Sequence, residues 1–238
     1  MTKLTTSFLS AGLLPALILA SATGCAPTRP ASRAAAANAA AKPAVLEPAA
    51  APAPAPAPAT AATPAAVAVK PDQPRVIGTA ARSKDPALAA EFNNLFVDGD
   101  VYFAGWPTEA GLRAMAARGV KTVIALKTPE QVEQSSGFNP RRVATQLGIE
   151  LVIIPVRADT YSRNDVLTFA AAFDKSRGPV LIHCGSASTC GMVWSGYLVE
   201  KRGMSAADAV ERGHAAGLQE GPMTEAAERV AAELQAKR

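Results

Sequence analysis

Aromatic rings are scarce in this chain. The 238 residues hold 7 Phe, 3 Tyr and 2 Trp, 5% of the total, although hydrophobic residues make up 49%. Alanine must supply much of that excess, and alanine marks a biased segment as often as a core. Residues 26–80 contain no ring at all. A surplus of charge is also missing where it would matter. The formal charge is +4, from 24 basic and 20 acidic side chains, but six of the basic and two of the acidic ones precede residue 81. The remainder carries 18 of each sign, so a basic nucleic-acid-binding domain is disfavoured, because phosphate-backbone affinity needs clustered Lys and Arg. There is no Gly-rich nucleotide loop and no internal repeat outside an Ala-Pro run. His214 lies on a late helix with no cysteine or carboxylate at metal-ligand spacing, so no metal site is expected, and no cofactor is expected either.

What is present begins with Lys3, an apolar stretch from Phe8 to Ala20, and small residues up to Cys25. The stretch is shorter than the ~20 residues of a spanning helix and is interrupted by Pro15, so residues 1–25 read as an export signal. Ala22-Thr23-Gly24-Cys25 resembles a bacterial lipobox, with alanine where leucine is more usual. The resemblance implies lipidation of Cys25 and attachment to a membrane; plain secretion is the alternative. Ala26 after the cysteine resembles the outer-membrane sorting pattern, which implies a lipoprotein facing the periplasm. Residues 26–80 hold 23 Ala and 11 Pro, including four Ala-Pro repeats from Ala51 to Pro58. Proline fixes φ and removes a donor, and alanine buries too little area to offset chain entropy. This segment reads as a disordered, semi-rigid tether.

Residues 81–238 have the size of one domain and alternate strand with helix. Leu95–Val97 and Val101–Ala104 flank Asp98-Gly99-Asp100 as a hairpin. Thr108 caps a helix ending at Gly119. Lys121–Lys127, Glu150–Val156 and Pro179–His183 read as buried strands. Asn139–Leu147 reads as a helix stopped by Gly148, and Ser162 to Asp165 has capping-box spacing ahead of a helix to Ser176. Helices over Met192–Arg202, Ser205–Ala216 and Met223–Ala236 complete the chain. The pattern predicts an α/β fold, a single domain with a mostly parallel central sheet flanked by helices in three layers. Ligands of such sheets sit at the carboxyl ends of the strands, where Cys184 stands.

After Cys184 come Gly185, Ser186, Ala187, Ser188, Thr189, Cys190 and Gly191. A loop of small residues entering a helix turns backbone N–H groups inward and adds the positive end of the dipole. A cysteine there has its thiolate stabilised and can attack at neutral pH. The alternative is a structural cysteine that continues the apolar strand.

The domain resembles the cysteine-dependent phosphatase superfamily, in its bacterial branch of tyrosine-phosphatase-like domains related to the beta-lactamase-hydrolase-like family. The matching stretches are Phe92-Asn93-Asn94 with Val97-Asp98-Gly99, Ala104 through Leu112, Gly119 through Ile124, Ile154-Pro155-Val156, Val180 through Cys184, and Gly217-Leu218. The resemblance implies a phosphatase-like fold, Cys184 as the attacking residue, His183 as the residue that orders its loop, and an aspartic acid that protonates the leaving oxygen. Asp159 is the first candidate acid and Asp165 the second, the latter with a simpler role in helix capping. His183 can equally be a satisfied core residue.

The family's phosphoryl-gripping arginine stands five or six residues after the cysteine, and those positions are Thr189 and Cys190. The family's glycine three after the cysteine is Ala187, and an alanine held there at positive φ costs ~1 kcal/mol. The expected ligand is a phosphate ester or another small anion. Three functions remain open: slow phosphoester hydrolysis, anion or protein binding without turnover, and thiol chemistry (sulfur transfer or dithiol redox) at Cys184 and Cys190. Cys190 is read either as a disulfide partner of Cys184 or as a residue packed at a helix start. Trp106, Trp194 and Tyr197 are expected to be packing residues.

Overall fold

The computed structural model describes residues 75–238. The expected signal segment, Cys25 and the expected tether up to residue 74 lie outside the described residues. The elements run β1 (Ala81–Arg82), α1 (Pro86–Ala89), β2 (Leu95–Asp98), β3 (Val101–Ala104), α2 (Glu109–Ala117), β4 (Thr122–Ala125), α3 (Pro129–Ser135), α4 (Pro140–Leu147), β5 (Glu150–Ile153), α5 (Arg163–Lys175), β6 (Val180–His183), α6 (Ser188–Arg202), α7 (Ala206–Ala215) and α8 (Pro222–Ala236). The sheet order is β1-β2-β3-β6-β4-β5. The two pairings among β1, β2 and β3 are antiparallel, and β3, β6, β4 and β5 are mutually parallel.

The sheet is covered on both faces, and the alternation of side chains along each strand sorts the core in two. Val180 and Ile182 of β6, Ile124 of β4 and Phe103 of β3 join the layer built with α5, α6, α7 and α8. Leu181, Val123 and Ala104 point the other way, into the layer built with α1, α2 and α4. This is the expected three-layer α/β domain. Trp194 stacks on Tyr197 at 5.0 Å and meets Phe103 edge-on at 5.0 Å, so both rings belong to the core.

Local chemistry placed most boundaries. The hairpin turns at Gly99, whose φ is 58°. Thr108, Asn139 and Ser205 accept backbone N–H groups at the starts of α2, α4 and α7, and Ser162 with Asp165 forms a capping box on α5. The sequence reading passed over α1, β1 and α3, the last opened by a capping box between Thr128 and Gln131. It also started α6 four residues late, because Ser188 to Gly191 read as loop. Gly191 is instead in the first turn of α6, where a Cβ would lie 2.4 Å from the Gly213 carbonyl. Its absence lets α6 and α7 approach.

Residues 75–80 pack onto the domain ahead of β1. The Arg75 guanidinium reaches Asp100 at 3.1 Å and the carbonyls of Phe173 at 3.2 Å, Ser176 at 3.3 Å and Gly178, and it lies 4.7 Å from the Phe173 ring. Asp100 and Gly178 precede β3 and β6, so this anchor holds the amino ends of the parallel strands.

Candidate active site

The carboxyl ends of three strands converge on Cys184. β6 lies between β3 and β4, with His183 opposite Ala104 on one side and Ala125 on the other. Pairing continues one step further: Cys184 N–H donates to the Ala104 carbonyl at 3.0 Å, and Leu126 N–H donates to the His183 carbonyl at 2.8 Å. The chain then leaves the sheet through Gly185, Ser186 and Ala187 and enters α6 at Ser188.

Three outside groups set the loop's conformation. Asn93 Nδ2 donates to the Gly185 carbonyl at 2.9 Å, and Trp106 N–H donates to it at 3.3 Å. Asn94 Nδ2 donates to the Ser186 carbonyl at 3.2 Å. With these carbonyls taken up, the N–H groups of Ser186 and Cys190 serve the sulfur. Gly105 bridges to Ser186, and a Cβ on it would stand 1.9 Å from the Asn93 carbonyl oxygen, so only glycine permits this approach. Ala187 has φ 75°, the strained left-handed conformation anticipated for it. Gln219 N–H donates to Ser188 Oγ at 3.0 Å and fixes the first turn of α6.

Cys184 is 1% exposed, yet its thiol is drawn from the ordinary 9.0 down to about 5. The Cys190 S–H is the largest cause; burial opposes it, and the backbone N–H groups of Ser186 and Cys190 with the Thr189 hydroxyl add to it. Above that pH the side chain is a thiolate held by four donors. Cys190 is pushed the opposite way, by its own burial and then by the sulfur beside it, and stays protonated. Its sulfur lies 3.5 Å from the Ala104 carbonyl and 3.6 Å from that of Ile182. One proton thus has three acceptors, and the ionised sulfur is the strongest of them. Both cysteines are free thiols.

His183 is buried and neutral, its ring lowered to about 4, first by burial, with a hydrogen bond to the Cys184 backbone opposing. It faces the Trp106 ring at 5.8 Å, and its Nδ1 has no partner. Asp159 is exposed, and both its oxygens are held by Arg157 at 3.0 and 2.7 Å. That hydrogen bonding keeps the carboxyl below its ordinary range, so Asp159 is ionised here and carries no proton to donate. The loop bearing it is pinned by Tyr161, whose hydroxyl donates to the Met192 carbonyl at 3.2 Å. Asp165 accepts from Ser162 N–H at 2.8 Å and Ser162 Oγ at 2.9 Å, which is the capping role. Among the described residues no group of three or more His, Cys, Asp or Glu side chains is arranged to hold a metal ion.

The loop, its thiolate and its place in the sheet accord with one comparison above all. Residues 71–230 match the family described as DSP-PTPase phosphatase fused to NAD+ kinase. The chain belongs to that family. Among solved structures, the domain is similar to P. aeruginosa TpbA, with a TM-score of 0.50 and 20% identity over 67% of this chain and 95% of the other. It is also similar to a DUF442 protein of Shewanella putrefaciens CN-32, with a TM-score of 0.49, 23% identity and coverage of 63% and 97%. Tk-PTP in its active form gives 0.48, 22% identity, 62% and 97%. At 20% identity the likeness to TpbA speaks for the fold. No curated protein matches the chain.

Membership in the DSP-PTPase family places the domain in the cysteine-phosphatase class. Sequence reasoning named the cysteine, its histidine and its loop as candidates, and the structure brings them together at the carboxyl end of β6. It quoted Asn93 and Asn94 within a matching stretch without seeing that their side chains set the loop carbonyls. Two amides followed by a strand carry no local sign of a partner some 90 residues away.

Proposed function

We propose that this domain binds phosphate monoesters in the Cys184 loop and is a weak cysteine phosphatase, slowed because no guanidinium closes on the phosphoryl group. The observation that carries this reading is the buried Cys184 thiolate, ionised from about pH 5 upward at the mouth of α6. In this reading the sulfur attacks phosphorus, the P–O bond to the alcohol breaks, and a cysteinyl phosphate forms that water then hydrolyses. The leaving oxygen needs a proton, and Asp159 can supply one only when released from Arg157. Thr189 and Cys190, where the family places its arginine, direct their donors at the sulfur instead. Loss of one preorganised oxyanion donor costs on the order of 100–1,000-fold in rate, and a charged bidentate clamp contributes at least as much.

The test is hydrolysis of an aryl phosphate by wild type, Cys184→Ser, Thr189→Arg and Cys190→Arg, each checked for folding by its unfolding transition. Slow release that vanishes in Cys184→Ser and rises about 100-fold in a folded arginine variant is expected. Equal rates in wild type and Cys184→Ser would leave a binding module without turnover.

Dithiol exchange is the second reading, favoured by the contact between the two sulfurs. The Cys184 thiolate would attack a disulfide substrate and release one thiolate. Cys190, once deprotonated, would displace the second and leave a Cys184–Cys190 disulfide. The raised Cys190 pKa makes that second step slow, which ranks this reading below the first.

Lys3, the apolar stretch and Ala22 to Cys25 support export and lipid attachment at Cys25, with residues 26–74 as the spacer between the membrane and the domain. Labelled palmitate incorporated by the wild type and lost in Cys25→Ser is the expected result; equal labelling would refute the attachment.

A further inference from the structure

On either side of β6 the chain bends two residues after a strand ends, at Trp106 after β3 and at Lys127 after β4. Both side chains come back over the same point of the loop. A methyl placed on Gly185 would stand 3.8 Å from Lys127 Nζ, 3.7 Å from Lys127 Cε and 3.8 Å from Trp106 Nε1. An ammonium and an indole N–H therefore converge above the first loop residue after the nucleophile. Neither Lys127 Nζ nor Trp106 Nε1 has a hydrogen-bond or ion-pair partner among the described residues, although both residues are half-buried. The amine is near enough to His183 to repel its protonated form. A half-buried cation commonly lies against a carboxylate; this one has beside it a glycine, an indole edge and a loop of inward N–H groups.

We infer that Lys127 and Trp106 form the donor pair that holds the dianionic head of the phosphate ester, with Lys127 supplying from β4 the positive charge that the loop itself lacks. This rests on the reading of the Cys184 loop as an oxyanion site. A lysine is a point charge, so it neutralises the anion without the two-pronged grip of a guanidinium. Binding is thereby retained more fully than turnover, since a mobile ammonium does not select the transition-state geometry over the ground state. Gly185 is required on the same grounds, because a side chain there would occupy the space in which the anion meets both donors.

The experiment is titration of the full chain with inorganic phosphate, following the backbone amides of residues 185–190 by NMR and the affinity by calorimetry. Wild type is expected to shift those amides. Lys127→Met should weaken phosphate binding about 10-fold and flatten its salt dependence, Lys127→Arg should stay within about 3-fold of wild type, and Trp106→Phe should weaken it about 3-fold. Thermal unfolding of each variant separates loss of the donor from loss of the fold. Wild-type affinity in a folded Lys127→Met would overturn the inference and leave the oxyanion site standing. No amide shift in wild type at about 50 mM phosphate, well above a millimolar Kd, would overturn the oxyanion reading and this inference with it.

Discussion

At the amino ends of β3 and β6 the chain places a guanidinium whose three nitrogens are all engaged. Arg75, 9% exposed, is taken up by Asp100 and three carbonyls. At the carboxyl ends of the same strands the loop from Gly185 to Gly191 contains no arginine, and the cation nearest to Gly185 is a lysine with no partner. The difference separates holding from binding. A fork engaged at every nitrogen fixes one arrangement of backbone and is already committed to the protein. An unsaturated amine above a ring of N–H groups fixes little and has its charge still to give. This buried guanidinium anchor is at the structural end, and the Cys184 loop relies on backbone dipoles, a hydroxyl, a thiol and Lys127.

The largest effect expected from breaking this division is at the structural end. Arg75→Ala should lower unfolding stability by about 3 kcal/mol, because it leaves Asp100 and buried carbonyls without their donor. Denaturant titration reads that loss, and the Cys184 ionisation midpoint followed by thiolate absorbance should not move. A shifted midpoint would show that the two ends are coupled and would break the comparison.

At the reactive end, Cys190→Ala should raise the Cys184 midpoint from about 5 by ~1 unit, the effect of one hydrogen bond to a charged sulfur. The sign for stability follows from the depressed pKa. The thiolate contribution is complete above the unfolded value of 9.0, erodes as pH falls, and is gone below about 5. The stability of wild type minus that of Cys184→Ser should therefore grow with pH across that window. In the Cys190→Ala background the growth should begin about one unit higher. An unchanged midpoint would mean that Cys190 serves the Ala104 and Ile182 carbonyls instead.

The smallest effect is expected at Ala187→Gly. Relief of the strained φ of 75° contributes ~1 kcal/mol, and loss of a fully buried methyl costs about 0.8 kcal/mol. The two nearly cancel, so a change beyond ~0.5 kcal/mol in either direction would show that one of them is misjudged.

Much of the fold was legible because its signals are local. Thr108, Asn139, Ser162 and Ser205 announce helices through hydrogen bonds spanning three residues, and the apolar runs of β4 and β6 announce buried strands. Cys184, His183 and the small-residue loop were legible for the same reason. The contacts that complete the site were not. Asn93 and Asn94 reach carbonyls 92 residues further along the chain, and Lys127 reaches the loop from a neighbouring strand. Such pairings exist only once the strand order β3-β6-β4 is formed. Cys190 is an intermediate case: the sequence left a disulfide with Cys184 and a residue packed at a helix start both open, and the structure has it buried in the first turn of α6 as a free thiol beside Cys184. Arg75, assigned by composition to the tether, is recognisable as an anchor only from the carbonyls that surround it.

The chain's two tryptophans stand on opposite sides of this division. Trp194 is sealed in the core between Phe103, Phe173 and Tyr197, where ligand chemistry does not reach it. Trp106 lies half-buried at the loop with its indole edge beside Lys127 and Gly185. The protein therefore carries its own optical probe and its own internal reference. A ligand entering above Gly185 changes the emission of one indole while the other keeps a constant signal, so occupancy of the site is readable without a label.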